Sequence, residues 1–270
     1  MWTNKVVIIT GSSMGIGFAL AREIAKNGAK VVLNGSNSTR LEEAGRQLTE
    51  EGLDVTTIEA DISNFEACNN LIASTIKLHG KIDVLINNAG VSSEASIEEI
   101  NHEVFQKVIA VNLIGVFNMT KLAIPYLKIQ GGNILFIGSV AGFHGIANHA
   151  AYCSSKMAIT GFAESLKIEL HKTKIHVGIA YLGFVENSKS KTILNKNGDR
   201  IPQPARNNVS KMSPESISKK LIRMIEKKRF KSVFSPVGNF AYLLNRISPT
   251  LMNFILTRIH LKRYMEKGNR

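Results

Sequence analysis

Tyr152 and Lys156 stand four residues apart in Tyr152-Cys153-Ser154-Ser155-Lys156, a spacing that puts a phenol and an ammonium on one face of a helix. A phenol with a pKa of about 10 is a poor acid–base catalyst at neutral pH, and a nearby cation favours its phenolate. The pair could give a proton to a nascent alkoxide or take one from an alcohol. A second constellation, Thr10-Gly11-Ser12-Ser13-Met14-Gly15-Ile16-Gly17, follows an apolar run and opens an amphipathic one. Glycines at such a junction let the backbone turn tightly and approach a pyrophosphate, whose charge is favoured by the free N–H groups of a helix start. Gly11, Ser13, Gly15, Ile16 and Gly17 are the candidate cofactor contacts there.

These residues need a scaffold that presents strand ends side by side. Apolar runs of strand length occur at Lys5–Thr10, Lys30–Asn34, Val55–Glu59, Asp83–Asn87, Asn133–Gly138 and Ile175–Leu182. Near-continuous apolar runs are expected of strands buried on both faces. Between them, Ile16–Asn27, Thr39–Glu51 and Phe65–His79 have helical character, and Gly28, Gly52 and Gly80 supply the stops. The alternation predicts an α/β fold, a single doubly wound parallel sheet of the Rossmann type with helices on both faces. Residues 1–235 are expected to form the dinucleotide-binding and catalytic domain, and 236–270 a basic helical extension. Gly183–Asn208 is polar, holds two prolines and follows a strand end, so it is expected to be a long loop acting as a substrate lid.

The Gly-x-x-x-Gly-x-Gly spacing resembles that of the short-chain dehydrogenase/reductase family, and the resemblance extends from residue 4 to about 235. Asn88-Ala89-Gly90, after Asn87 at a strand end, is similar to the family's second signature, and Asp61 with Ile62 matches the position where the family holds the adenine. Ser139 precedes Tyr152 by thirteen residues, the family's interval, which implies a hydroxyl that hydrogen-bonds the substrate oxygen. Asn112 matches the family's fourth catalytic member, which holds a water linking Lys156 to solvent. Gly183 and Val185 lie in a stretch that resembles the family's nicotinamide-carboxamide loop, although Leu182 replaces its proline and Asn187 its threonine. The resemblance implies reversible hydride transfer between a nicotinamide and a ketone or secondary alcohol, with Asn112, Ser139, Tyr152 and Lys156 catalytic. It also implies that Tyr152 and Lys156 face the cofactor, and that a homodimer or homotetramer forms through their helix.

Cofactor preference turns on the end of the second strand, Leu33-Asn34-Gly35-Ser36. An acidic residue there would bind the ribose hydroxyls of NAD and repel a phosphate, and none is present. Ser36, Asn37, Ser38 and Arg40 favour NADP(H), with NAD(H) possible; no metal is implied. His144 and His149, between Ser139 and Tyr152, are expected to be lid or surface histidines.

The chain has 270 residues, is 44% hydrophobic and carries a net charge of +13. Lys219 to Arg270 contains 13 Lys and Arg against Glu226 and Glu266, so +11 of the charge lies in that stretch. Cys68 and Cys153 have no metal-ligand spacing and suggest buried thiols in a reducing compartment. The start lacks a signal-peptide pattern, and no run reaches the roughly 18 uncharged apolar residues of a membrane span. A cytoplasmic protein is expected, either free or peripheral on the cytoplasmic face of a membrane. In the tail, Leu251, Ile255 and Ile259 recur at four-residue steps, widened by Met252, Phe254 and Leu256, with Arg258, Lys262 and Arg263 alongside. Such a segment packs on its own protein or lies on an anionic membrane surface. It has few stacking aromatics, which disfavours nucleic acid. A bulky apolar ketone is the expected substrate. The alternatives are a membrane-binding or regulatory scaffold that senses dinucleotide, and a soluble NAD-dependent dehydrogenase of small alcohols.

Overall fold

The computed structural model describes residues 1–186, 191–204 and 210–268, with side chains described as far as residue 261. β1 (Val6–Ile9) and β4 (Val84–Asn87) are buried at every position, so they must sit inside a sheet covered on both faces. Around them run β2 (Lys30–Gly35), β3 (Val55–Glu59), β5 (Asn133–Ser139), β6 (His176–Leu182) and the short β9 (Lys231–Val233). The seven strands are parallel, in the order β3-β2-β1-β4-β5-β6-β9. The direction of winding reverses between β1 and β4, which opens a crevice at their carboxyl ends.

The period of two along each strand divides the core between the faces. On one face Val7, Ile9 and Leu33 meet Leu20 and Ile24 of α1 (Gly15–Lys26) and Leu221 and Ile225 of α7 (Pro214–Glu226); α2 (Ser38–Glu50) adds Leu41 and Leu48. On the other, Ile8, Leu85 and Phe136 meet Leu71 of α3 (Phe65–His79), Met119 of α5 (Gly115–Gln130) and Ile159 of α6 (Ala150–Glu169). A π-type turn, Ala110–Ile114, joins α4 (His102–Ile109) to α5. The run His102–Gln130 is long and apolar enough to cross a membrane by length and composition. Here Met119, Ala123 and Leu127 instead belong to the core.

Two expectations are corrected. β9 was not among the expected strands, because an edge strand of three half-buried residues, Lys-Ser-Val, carries no readable apolar run. The expected lid loop contains a hairpin, β7 (Thr192–Leu194) and β8 (Arg200–Pro202), whose turn is held by Asn195 Oδ1 accepting from the N–H groups of Asn197 and Asp199. Only Ile193 and Leu194 face inward, too few to show alternation in sequence. Leu194 bridges to Ser93, so the hairpin is docked beside the segment after β4. Residues 187–190 and 205–209 of that stretch, Asn187 among them, lie outside the described residues.

Beyond β9 come α8 (Pro236–Ile247) and α9 (Pro249–Gly268). Proline in the first turn suits each start, since its missing N–H would have no helical partner. Ser235 caps α8 by accepting from the Gly238 N–H.

One buried ion pair ties the strand starts together. The Asp83 carboxylate is 2% exposed, accepts from Lys5 Nζ at 2.7 Å and the Val6 N–H at 2.9 Å, and pairs with Lys81 Nζ at 3.1 Å. Burial alone would raise its pKa, but the hydrogen bonds from Lys5, Val6 and Lys81 outweigh that and hold it below the usual value. A depressed carboxylate contributes stability that is present above its unfolded pKa and is lost as pH falls through the folded one. Asp83→Ala is expected to lower stability at pH 7 by about 3 kcal/mol. Urea unfolding should show the deficit shrinking as pH falls below the unfolded-state value of about 3.9.

Candidate active site

The loop between β1 and α1 is built by close approach. Gly11 has φ +62°, and a Cβ there would lie 2.7 Å from Ala89 Cα; one on Gly17 would lie 2.4 Å from the Gly11 carbonyl oxygen and 2.5 Å from Asn88 Nδ2. The loop is braced from β4: Asn88 Nδ2 donates to the carbonyls of Thr10 and Gly11, each at 2.9 Å. Thr10 Oγ1 accepts from the N–H groups of Asn88 and Ala89 at 3.0 Å. Ser12, fully buried, links β1 to β2 by donating to the Ile9 carbonyl and accepting from the Asn34 N–H. At Met14, the residue before α1, no side chain caps the helix start. Gly15 has φ +59°, and its missing Cβ faces open space. An open, uncapped helix N-terminus behind a glycine loop fits the pyrophosphate of a dinucleotide.

Ser13 lies against Gly35 at the end of β2. The Asn34 side chain turns away from that rim and donates to the Ile58 and Ala60 carbonyls beside β3. Ser36 is exposed, and Arg40 reaches across the rim to Met14 Sδ at 3.4 Å. Asp61 is exposed and accepts from the Ser63 N–H and hydroxyl, whereas Ile62 is buried and its carbonyl accepts from Asn118 Nδ2. Asn88 is thus spent on bracing the loop, and Ile62 is largely a packing residue under the rim.

Lys156 and Tyr152 share a face of α6, with Nζ 5.8 Å from the Tyr152 ring centroid. Lys156 is 5% exposed, and its ammonium donates to the Ile137 carbonyl at 2.9 Å, two residues before Ser139. Burial pushes its pKa down to about 8. Gly90 faces this pair closely: a Cβ would sit 3.2 Å from Asn112 Oδ1, a tight contact, and 3.7 Å from Lys156 Nζ. Asn112 lies in the π-type turn, a loosening of the helix ladder that recurs at functional sites. Its amide is locked to Val91, accepting from the N–H and donating to the carbonyl, both at 2.8 Å, and it donates to Ser155 Oγ at 3.0 Å. Ser155 in turn donates to the Tyr152 carbonyl. Ser139 ends β5 and its hydroxyl accepts from the Ala141 N–H. The turn that follows lies on α6, where a Cβ on Gly142 would be 3.0 Å from the Lys156 carbonyl oxygen.

The wall around Tyr152 consists of the segment after β4, the turn after Ser139 and the docked hairpin. His149 Nδ1 lies 2.8 Å from the Ser93 carbonyl, and Ala151, Leu194, Val104 and Val108 form an apolar cluster with Val91. His144 is buried, which corrects the expectation of a lid or surface histidine: it is packed beside Phe143, and burial lowers its pKa. Gly183 abuts Ser235 at the start of α8, and Val185 bridges to Met212. Sequence reasoning missed Thr10, Ser12, Asn34 and Ser155. Their signal was faint: small polar residues at strand and helix positions that otherwise carry apolar or exposed side chains.

A family model described as short chain dehydrogenase matches residues 5–198. The human dehydrogenase/reductase SDR family member 4 is 35% identical over 192 residues, covering 70% of this chain and 69% of that protein. Among solved structures, a short chain dehydrogenase/reductase from Burkholderia phymatum in complex with NAD superposes with a TM-score of 0.82 at 21% identity, covering 93% of this chain and 95% of that one. An alcohol dehydrogenase from the archaeon Thermococcus sibiricus complexed with 5-hydroxy-NADP gives 0.74 at 26% identity, covering 85% and 95%. The fold and its crevice are those of nicotinamide-dependent oxidoreductases. The chain belongs to the short-chain dehydrogenase/reductase family.

The buried ammonium generates a prediction independent of turnover. The folded-state pKa of about 8 lies below the unfolded value of 10.5, so the contribution of Lys156 to stability is largest above pH 10.5 and is lost as pH falls through 8. Lys156→Met removes that penalty but leaves the Ile137 carbonyl without its donor. The variant should be the more stable at pH 7.5, by about 2 kcal/mol, with the gap closing toward pH 10. Paired urea titrations at the two pH values measure this.

Proposed function

We propose that the protein is an NADP(H)-preferring ketone reductase that interconverts a bulky apolar ketone and its secondary alcohol. The observation that carries this reading is the buried Lys156 ammonium beside the Tyr152 ring, fixed to the strand that ends in Ser139. When bound, the nicotinamide supplies or accepts the hydride. Ser139 hydrogen-bonds the substrate oxygen, and Tyr152 gives its proton to that oxygen in reduction and takes it back in oxidation. Lys156 favours the phenolate of Tyr152, and Asn112 orders the water path from Lys156 to solvent.

Gly11, Ser13, Gly15, Ile16 and Gly17 hold the pyrophosphate, with Asn88 bracing their loop and Ala89 and Gly90 forming its far wall. Asp61 and Ile62 bound the adenine, Gly183 and Val185 the carboxamide, and Tyr152 and Lys156 the nicotinamide side. Ser36 and Arg40 favour a 2′-phosphate, since the end of β2 offers a hydroxyl and a guanidinium and no carboxylate. The apolar cluster of Val91, Ala151 and Leu194 behind the substrate wall favours an apolar ketone.

The assembly is a homodimer or homotetramer through α5 and α6, which expose Phe117, Met157 and Ile168. The enzyme is cytoplasmic and peripheral on a membrane, with α8 and α9 toward anionic lipid. Residues 236–270 form the extension that serves this contact.

Tyr152→Phe should lower kcat by about 10²- to 10⁴-fold while NADPH affinity stays within twofold. Retained turnover would remove Tyr152 from the reaction, and a silent wild type with tight NADPH binding would favour a dinucleotide-sensing scaffold. Arg40→Ala should weaken NADPH about tenfold and leave NADH unchanged, read by fluorescence titration. Equal losses for both cofactors would reject the phosphate assignment.

A further inference from the structure

α8 has two faces with different partners. At about 100° per residue, Gly238, Tyr242 and Asn245 fall on one side of the helix and Val237, Phe240, Leu243 and Ile247 on the other. The inner side grips the turn after Ser139. Asn245 Nδ2 donates to the Phe143 carbonyl at 2.6 Å, and the Tyr242 ring meets Phe143 edge-on at 5.2 Å. Gly238 packs so tightly that a Cβ would be 2.9 Å from Val140. Phe143 also meets Tyr181 of β6 edge-on at 5.4 Å, which completes an aromatic clamp on residues 140–143. These contacts reach Val140 and Phe143, the first and last of the four residues that directly follow Ser139.

Among the described residues the outer side has no partner: Val237 is 71% exposed, Phe240 66%, Leu243 58% and Ile247 74%. α9, which packs against α8, also exposes Leu251, Phe254, Ile259 and Leu261, and Arg258 sits over the Phe254 ring. Arg246 lies at the border between the two sides of α8 and donates to the Tyr242 hydroxyl at 3.1 Å. From Pro236 to Gly268 the sequence holds Arg246, Arg258, Lys262, Arg263 and Lys267 against Glu266 alone. An apolar surface bordered by cations, with almost no acid, is complementary to an anionic bilayer. A second copy of this strongly basic segment would repel it.

We propose that α8 is a lever between a lipid surface and the catalytic turn: docking its outer face on an anionic bilayer steadies residues 139–144 and raises turnover. The proposal rests on the reading of Ser139 as the substrate-oxygen donor and adds the regulation of that site. Gly238 is the only fully buried residue of α8. A helix seated by so little buried surface opens readily. A bilayer that holds it from outside keeps Tyr242 and Asn245 on the turn for more of the time.

The test uses the full chain with NADPH, a water-soluble ketone, and vesicles of phosphatidylcholine alone or with phosphatidylserine. Two quantities are followed: kcat, and amide hydrogen exchange of a peptide spanning residues 139–149. Wild type should sediment with the phosphatidylserine vesicles, gain at least threefold in kcat and show at least fivefold slower exchange, with NADPH affinity unaltered. The double variant Phe240→Ser, Leu243→Ser should lose both vesicle binding and response. Asn245→Ala should still bind vesicles, yet show no gain in kcat and no slowing of exchange. Failure of wild type to bind, binding without change in exchange, or a wild-type response in Asn245→Ala would each overturn the lever. If no ketone is reduced in any condition, the enzyme reading fails, and the exchange measurement still decides whether lipid steadies the turn.

Discussion

The structure depends most on keeping one ammonium dry. Lys156 is almost wholly buried, and a lone charge in such surroundings is costly unless it is hydrogen-bonded. Its identified partner is the Ile137 carbonyl, an atom of the strand backbone that cannot swing away. β5 therefore sets the position of the charge, and the same strand two residues later sets Ser139. Gly90 has no side chain to intrude, and Asn112 is held from both ends by Val91, so the neighbouring walls keep their distance from the ammonium. Moving any of these backbones would move the charge relative to the Tyr152 ring.

The cofactor side follows a complementary rule, because its groups are mostly backbone. The glycine loop offers N–H groups and little else, and such groups bind an anion well only when the loop is stiff. Stiffness comes from across the crevice, through the Asn88 amide and the Thr10 hydroxyl, and from the side, through Ser12 and Asn34. These are short-range neutral hydrogen bonds, part-buried across the crevice and buried at Ser12, where leaving a donor or acceptor unmade is expensive. The crevice at the switch point is thus held open by satisfied polar groups on each side of β1.

The parallel sheet was legible in sequence because six of its seven strands carry apolar runs and three helices end at glycine. β9 and the β7–β8 hairpin were not, since three-residue strands with one or two inward side chains leave no period to detect. The candidate site was legible as residue types too, from Tyr152, Lys156 and the glycine spacing. Their supports were not: Ser155 and Thr10 are ordinary in any sequence and acquire meaning only when the fold brings Asn112 and Asn88 to them. His144 misled for the opposite reason. A lone histidine in a connecting turn suggests solvent, but Phe143, anchored by Tyr242 and Tyr181, folds that segment inward.

The two sides of the candidate site are consequently carried by different kinds of structure. Tyr152, Lys156 and Ser139 are fixed by strand and helix backbones whose displacement would disturb the core. The wall opposite Tyr152 is assembled from the segment after β4, the turn after Ser139 and a hairpin docked through Leu194 and Ser93, all surface connections. Ser93 Oγ and His144 Nδ1 are buried on those segments without a hydrogen-bond partner among the described residues. Buried polar atoms without partners are costly, so these segments are less fully satisfied than the strand and helix backbones. Changes in the hairpin or the turn would reshape that wall while leaving the Lys156 ammonium and Ser139 where β5 puts them. In this chain the turn is also the part gripped by α8, so the element that shapes recognition is the one exposed to influence from outside the sheet.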